Sequence, residues 1–195
     1  MADGHGPAAP SHLRPRRVLI SREELATRVA ELGRAIAHDY QGRTPLLVGV
    51  LKGATVFLAD LIRAIPAPVM VDYIGLSSYG AGTRSSGAVR VTADLSVSIE
   101  DRDVIIVEDI IDTGRTVDYL RRNLATREPR TIALCALLDK VSRREVSIPV
   151  EYAGFAIPDQ FVVGYGLDLA GHFRGLPHVA VLESADPEGT MPLPD

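Results

Sequence analysis

Two adjacent carboxylates close an apolar run, and a threonine-glycine turn follows: Val104-Ile105-Ile106-Val107-Glu108-Asp109-Ile110-Ile111-Asp112-Thr113-Gly114-Arg115-Thr116. The apolar run reads as a buried strand that delivers Glu108 and Asp109 to its carboxyl end. The turn from Asp112 to Thr116 then enters a helix. A helix start offers backbone N–H groups, and here two threonine hydroxyls besides, which together suit a phosphate. The acids cannot share that phosphate, because like charges repel. They suit sugar hydroxyls or a magnesium ion. Phosphate at one end and hydroxyls at the other describe a ribose 5-phosphate. Solvated acids before a capped helix would use similar residue types, and Asp112 alone reads equally as a turn-forming, helix-capping residue.

The cations are unevenly chosen. Of 21 basic residues only two are lysine, Lys52 and Lys140. Lys52 follows the apolar run 46–51 and precedes Gly53 at a helix start, which puts a cation and N–H groups at one strand end. In isolation it reads as a surface lysine. Lys140 follows the run 131–138. An ammonium is a compact donor able to reach a single carbonyl, whereas a guanidinium is a wide planar fork. Arg143, three positions on, is expected to be solvated. Cys135 lies inside an apolar run and reads as core. His38, His172 and His178 have no metal-ligand spacing, and no histidine is assigned a catalytic role.

These residues need a scaffold. With 195 residues, 46% hydrophobic and 24% charged, the chain has an ordinary globular composition and room for one domain. A net charge of −4 argues against a broad nucleic-acid surface. No apolar stretch approaches a membrane span, and the first residues lack the apolar core of a signal peptide, so a cytoplasmic location is expected. Residues 1–15 and 186–195 are expected as flexible tails around a single domain at 16–185.

The first expected element is a helix opened by Ser21, with Glu24 completing a capping box and Leu25, Val29, Leu32 and Ile36 on one face. A strand at 46–51, a helix from near Gly53, and strands at 69–74, 89–93 and 104–107 follow. After Gly114 come a helix, a strand at 131–138, and short strands around 150–155, 161–163 and 178–182. Apolar strands alternating with amphipathic helices mean an α/β domain with a mostly parallel sheet, whose ligands bind at the carboxyl ends of its strands. The Gly/Ser-rich stretch 77–87 is too long for a tight hairpin.

The segment 104–116 resembles the phosphoribosyl-pyrophosphate motif of type I phosphoribosyltransferases. Residues 18–183 as a whole are similar to the bacterial hypoxanthine-guanine phosphoribosyltransferases. The likeness also rests on Leu47-Val48-Gly49-Val50-Leu51-Lys52-Gly53-Ala54, Ser77-Ser78-Tyr79-Gly80, Leu137-Leu138-Asp139-Lys140 and Phe161-Val162-Val163-Gly164-Tyr165-Gly166-Leu167-Asp168, in the family's order. It implies the type I fold with a small base-recognition hood. It also implies magnesium-dependent transfer of ribose 5-phosphate to hypoxanthine or guanine, with release of pyrophosphate.

Residue by residue, the resemblance implies that Glu108 and Asp109 hold ribose hydroxyls, directly or through magnesium, and that Asp112 faces the purine N7. Asp112 then acts either as general base or as stabiliser of the N7 proton. The grip on the 5-phosphate falls to Asp112, Thr113, Gly114, Arg115 and Thr116; the family often has lysine where Arg115 stands. Pyrophosphate falls to Lys52, Gly53, Arg174, Ser78 and Tyr79. The family's peptide entering this lysine can adopt a cis form, and its loop corresponding to 77–87 closes over the site. The purine falls to Lys140, Phe161, Val162 and Asp168, the last also near a second magnesium. The family commonly forms dimers or tetramers.

Two other readings share these motifs: a nucleotide-sensing regulator on the same fold, and a transferase for another base such as xanthine or a pyrimidine. The acidic charge, Lys52 and Asp112 favour an enzyme, and Lys140 with Phe161-Val162 favours a 6-oxopurine.

Overall fold

The computed structural model describes residues 13–78 and 89–184. The expectations for Tyr79, for most of the loop that follows it, and for the chain up to 12 and from 185 lie outside the described residues.

The chain opens with β1 (Leu13–Ile20), α1 (Arg22–Asp39), β2 (Leu46–Leu51) and α2 (Thr55–Ala64). It continues through β3 (Met70–Ser78), β4 (Val89–Ala93), β5 (Asp103–Ile111), α3 (Arg115–Ala125) and β6 (Thr131–Asp139). A single 3-10 turn (Val141–Arg143), β7 (Tyr152–Ala156), β8 (Val162–Val163) and β9 (Val179–Ser184) complete it. The main sheet has the order β4-β3-β2-β5-β6-β7. All its neighbours are parallel except β4, which returns antiparallel beside β3.

Side-chain alternation in the central strands splits the core in two. Leu47, Ile105 and Val107 pack under α1 and α2, while Leu46, Val48, Val50, Val104 and Ile106 pack with Val117, Leu120 and Leu124 of α3. Ser21 caps α1 as its sequence foretells: its hydroxyl accepts from the Glu24 N–H, and the Glu24 carboxylate accepts from the Ser21 N–H. Among the described residues no helix is long and apolar enough to cross a membrane.

A second, three-stranded antiparallel sheet, β1-β9-β8, carries the hood. Its first strand corrects the expected boundary at 16, since Leu13, Arg14 and Pro15 already pair with β9. β1 is rich in arginine and contains a proline, so it shows little apolar alternation. It lies at the sheet edge, where proline is tolerated, and its register shifts between Pro15 and Arg17. Other boundaries move by a few residues; β5 in particular runs on through the acids to Ile111 rather than stopping at Val107.

Candidate active site

Ten of the expected residues line two hollows near the carboxyl ends of β2, β5 and β6 that share Ile110 and Asp112, while Lys52, Gly53, Arg115 and Arg174 line neither. The first, about 290 Å³, is lined by Glu108, Asp112, Thr113, Gly114 and Thr116, with Leu51, Leu76 and Ser77 opposite. The second, about 400 Å³, is lined by Asp109, Asp112, Lys140, Phe161, Val162 and Asp168, together with Arg143, Asp159 and Leu167.

The turn from Asp112 to α3 has the form of an anion cradle. Gly114 precedes the helix at φ +85°, a left-handed conformation that glycine adopts without strain. Gly114 brings no side chain to cap the helix, and the first-turn N–H of Arg115 donates to the Thr113 hydroxyl at 3.4 Å. The loop is held from behind, because the Thr113 carbonyl accepts from both Glu145 N–H (3.0 Å) and Val146 N–H (3.2 Å). Arg115 points to Glu145, with which it forms an ion pair at 2.5 Å.

Glu108 and Asp109 line different hollows, yet their carboxyls stay close enough to act on each other. Glu108 lines the hollow on the α3 side, and Asp109 the hollow beneath the hood. Burial pushes the Glu108 carboxyl well above the usual carboxylate range, and the Asp109 charge pushes the same way. Asp109 is pushed up to about 6, by burial first; Asp168 adds to the rise and Arg174 opposes it. Among the described residues no group of three or more His, Cys, Asp or Glu side chains is placed to hold a metal ion. Glu108, Asp109 and Asp168 therefore form no three-ligand centre. Two hard carboxylates still fit magnesium, which is bound by one or two protein carboxylates and completes its octahedron with substrate and water oxygens.

Lys52 is exposed at the end of β2, and the peptide between Leu51 and Lys52 is cis. Gly53 packs directly on the Asp109 carboxylate, and a β-carbon there would overlap it. A β-carbon on Gly166 would in turn overlap the Gly53 carbonyl oxygen. Arg174 does not simply point outward as a surface cation. It donates to the Gly166 carbonyl (2.6 Å) and pairs with Asp168 (2.6 Å), whose other oxygen accepts from Gly171 N–H. Ser78 ends β3.

On the base side, Lys140 is 8% exposed, with Nζ 3.4 Å from Asp159 Oδ1 and 3.9 Å from Asp112 Oδ2. Phe161 and buried Val162 form the wall nearby; Phe161 packs on Val163, Leu169 and Leu182, whereas Val162 belongs to the main core. The expectation for Arg143 needs correction. It is half exposed, yet its Nε donates to Asp112 Oδ1 at 3.0 Å and its Nη1 lies 3.6 Å from Asp159 Oδ2. Sequence reading missed both Arg143 and Asp159. The available signals were the spacing of Arg143 from Lys140, one 3-10 turn, and the position of Asp159 in a proline turn just before Phe161.

Comparison with known proteins agrees with this geometry. The family model for the phosphoribosyl transferase domain matches residues 21–169. A hypoxanthine phosphoribosyltransferase of Salmonella typhimurium is 49% identical over 164 residues, covering 83% of this chain and 92% of that protein. The bifunctional protein TilS/HprT of Listeria innocua is 49% identical over 86% of this chain. The chain spans only about a quarter (26%) of that relative's length. The crystal structure of a hypoxanthine-guanine phosphoribosyltransferase from Bacillus anthracis superposes with a TM-score of 0.83 at 41% identity, covering 88% of this chain and 99% of that one.

Proposed function

The chain belongs to the phosphoribosyl transferase family, and from that premise we propose that it is a purine-salvage enzyme. It transfers ribose 5-phosphate from phosphoribosyl pyrophosphate to hypoxanthine or guanine, giving IMP or GMP and pyrophosphate. The observation that carries this reading is the 3.9 Å separation of Lys140 Nζ and Asp112 Oδ2 beside Phe161. A 6-oxopurine presents its exocyclic oxygen and N7 as neighbours on one edge. A buried donor and a carboxylate this far apart suit that edge, with the donor on the oxygen and the carboxylate on an N7 proton.

In the reaction the bond from C1 of the ribose to pyrophosphate breaks, and a bond from C1 to the purine N9 forms. The electron pair of the broken bond leaves with pyrophosphate, and the purine gives up its N7 proton to Asp112. Phe161 stacks on the base and orients it, while the Thr113–Thr116 cradle holds the 5-phosphate; fixing both reactants makes the displacement effectively unimolecular. Lys52 and the nearby Gly53 backbone lie on the leaving-group side, where negative charge develops. Arg174, held by Asp168 and the Gly166 carbonyl, is the second cation for that charge. Glu108 and Asp109 are the residues that would hold a magnesium ion, which would supply neutralisation of the pyrophosphate charge. A cytoplasmic setting and a homodimer or homotetramer belong to the same reading.

The test is direct assay of the purified protein with phosphoribosyl pyrophosphate, magnesium and hypoxanthine. Equimolar IMP and pyrophosphate are expected. No nucleotide from either hypoxanthine or guanine would refute the assignment.

A further inference from the structure

We propose that Arg143 is a positioning residue for Asp112, holding Oδ1 so that Oδ2 is the oxygen presented to the base beside Lys140. The proposal rests on the reading of the site given above, and it concerns a residue that reading does not use.

The carboxylate needs such an anchor. Asp112 follows β5 on a turn, and its side chain is 42% exposed. The outer torsion of an aspartate is broad and roughly two-fold, so an unheld carboxylate exchanges its two oxygens readily. Here the oxygens are distinguished. Oδ1 accepts from Arg143 Nε at 3.0 Å, whereas Oδ2 faces Lys140 Nζ at 3.9 Å, beyond hydrogen-bond reach. One oxygen is anchored and the other is left available at the hollow.

Arg143 is itself fixed by the backbone. Its own N–H donates to the Lys140 carbonyl, and the Lys140 N–H donates to the Ile111 carbonyl, both at 2.9 Å. Arg144 is held on Asp139, and the next two amides bind the Thr113 carbonyl. The segment 140–146 is thus laced to 111–113 on both sides of Asp112, and it carries the guanidinium to a set place.

The four charges also form a closed ring of alternating sign: Lys140, Asp112, Arg143, Asp159 and back to Lys140. A base that draws Lys140 onto its oxygen removes one cation from both acids. Arg143 still faces both, because its fork offers Nε to Asp112 and Nη1 to Asp159. A lysine there keeps the charge and one hydrogen bond, and reaches one acid at a time.

The test compares Arg143→Gln, Arg143→Lys, Asp112→Asn and the double variant Asp112→Asn/Arg143→Gln with wild type by steady-state kinetics. Arg143→Gln is expected to lower kcat with hypoxanthine by roughly 10- to 100-fold, the scale of a small misplacement of a reacting group. KM for phosphoribosyl pyrophosphate stays within about twofold, since Arg143 touches the base side only. Arg143→Lys recovers most of the loss. The double variant is no slower than Asp112→Asn, because Arg143 acts through Asp112.

Wild-type kcat in Arg143→Gln overturns the proposal, and so do losses that multiply in the double variant. Equal losses in Arg143→Lys and Arg143→Gln overturn it too, since a mere change of shape would then explain both. A wild-type protein inactive with every 6-oxopurine overturns the functional reading itself, which is distinct from active wild type with unaffected Arg143→Gln.

Discussion

Gly53 rests against the Asp109 carboxylate so closely that no β-carbon fits between them. The contact joins the end of β2 to the acid at the end of β5 and leaves the Gly53 carbonyl against Gly166 of the hood. Three parts of the site meet at one residue without a side chain.

Gly53→Ala is therefore expected to lower stability by ~1–3 kcal/mol, the usual cost of overpacking. It should also raise KM for phosphoribosyl pyrophosphate, because Asp109 must turn away or the 52–54 backbone must shift. Chemical denaturation and initial-rate kinetics check the two effects. Wild-type values in both would show that Asp109 yields without consequence.

Asp109 gives the protein a pH signature. Its folded pKa of about 6 exceeds the ordinary 3.8, with burial as the first cause. The folded protein then binds more protons than the unfolded chain between about pH 4 and 6, so this group's contribution to stability falls as pH rises through that window. Glu108 is shifted in the same direction and adds to the slope. Urea unfolding of the ligand-free, chelator-treated protein at pH 5 and pH 7 measures the fall. Asp109→Asn is expected to make it smaller; an unchanged slope would show that the carboxyl ionises normally.

Lys140→Arg tests base recognition. The ammonium is buried between Asp112 and Asp159, where a wider guanidinium either displaces the base from Phe161 or misses its single oxygen. Loss of a charged hydrogen bond costs ~1.5–3 kcal/mol, so KM for hypoxanthine should rise by roughly one to two powers of ten. KM for phosphoribosyl pyrophosphate should stay constant. Wild-type kinetics for both substrates would reassign recognition to Phe161 and Val162.

Chelation provides a further check. Excess EDTA should abolish nucleotide formation and excess magnesium should restore it, because the acids at 108 and 109 would otherwise face the donor's phosphates. Full activity in chelator would leave these acids to the sugar hydroxyls alone.

The parts that sequence makes legible are those where one segment carries its own pattern. Val104 to Val107 announces a buried strand, Ser21 with Glu24 a helix start, and Thr113-Gly114-x-Thr116 a turn into a helix; β5, the capped α1 and the start of α3 stand at those places. Pairings between distant segments were hidden. β1 is defined by its bonds to β9 across most of the chain, and its arginines and proline mask the strand. Arg143 looked solvated because its partners, Asp112 and Asp159, stand 31 and 16 positions away. That Glu108 and Asp109 line different hollows depends on the two faces of the sheet being covered differently, which neighbouring letters do not reveal.

The most direct test of the account is the ratio of kcat/KM for hypoxanthine to that for adenine in the wild-type protein, with magnesium and phosphoribosyl pyrophosphate saturating. Adenine places an amino donor where hypoxanthine has its oxygen acceptor, and that donor would confront the Lys140 ammonium. A site built to hydrogen-bond one group rejects an analogue lacking it by ~10⁴–10⁵, so hypoxanthine should be preferred by about that factor. Comparable rates with adenine, or nucleotide formed from adenine alone, would contradict the account.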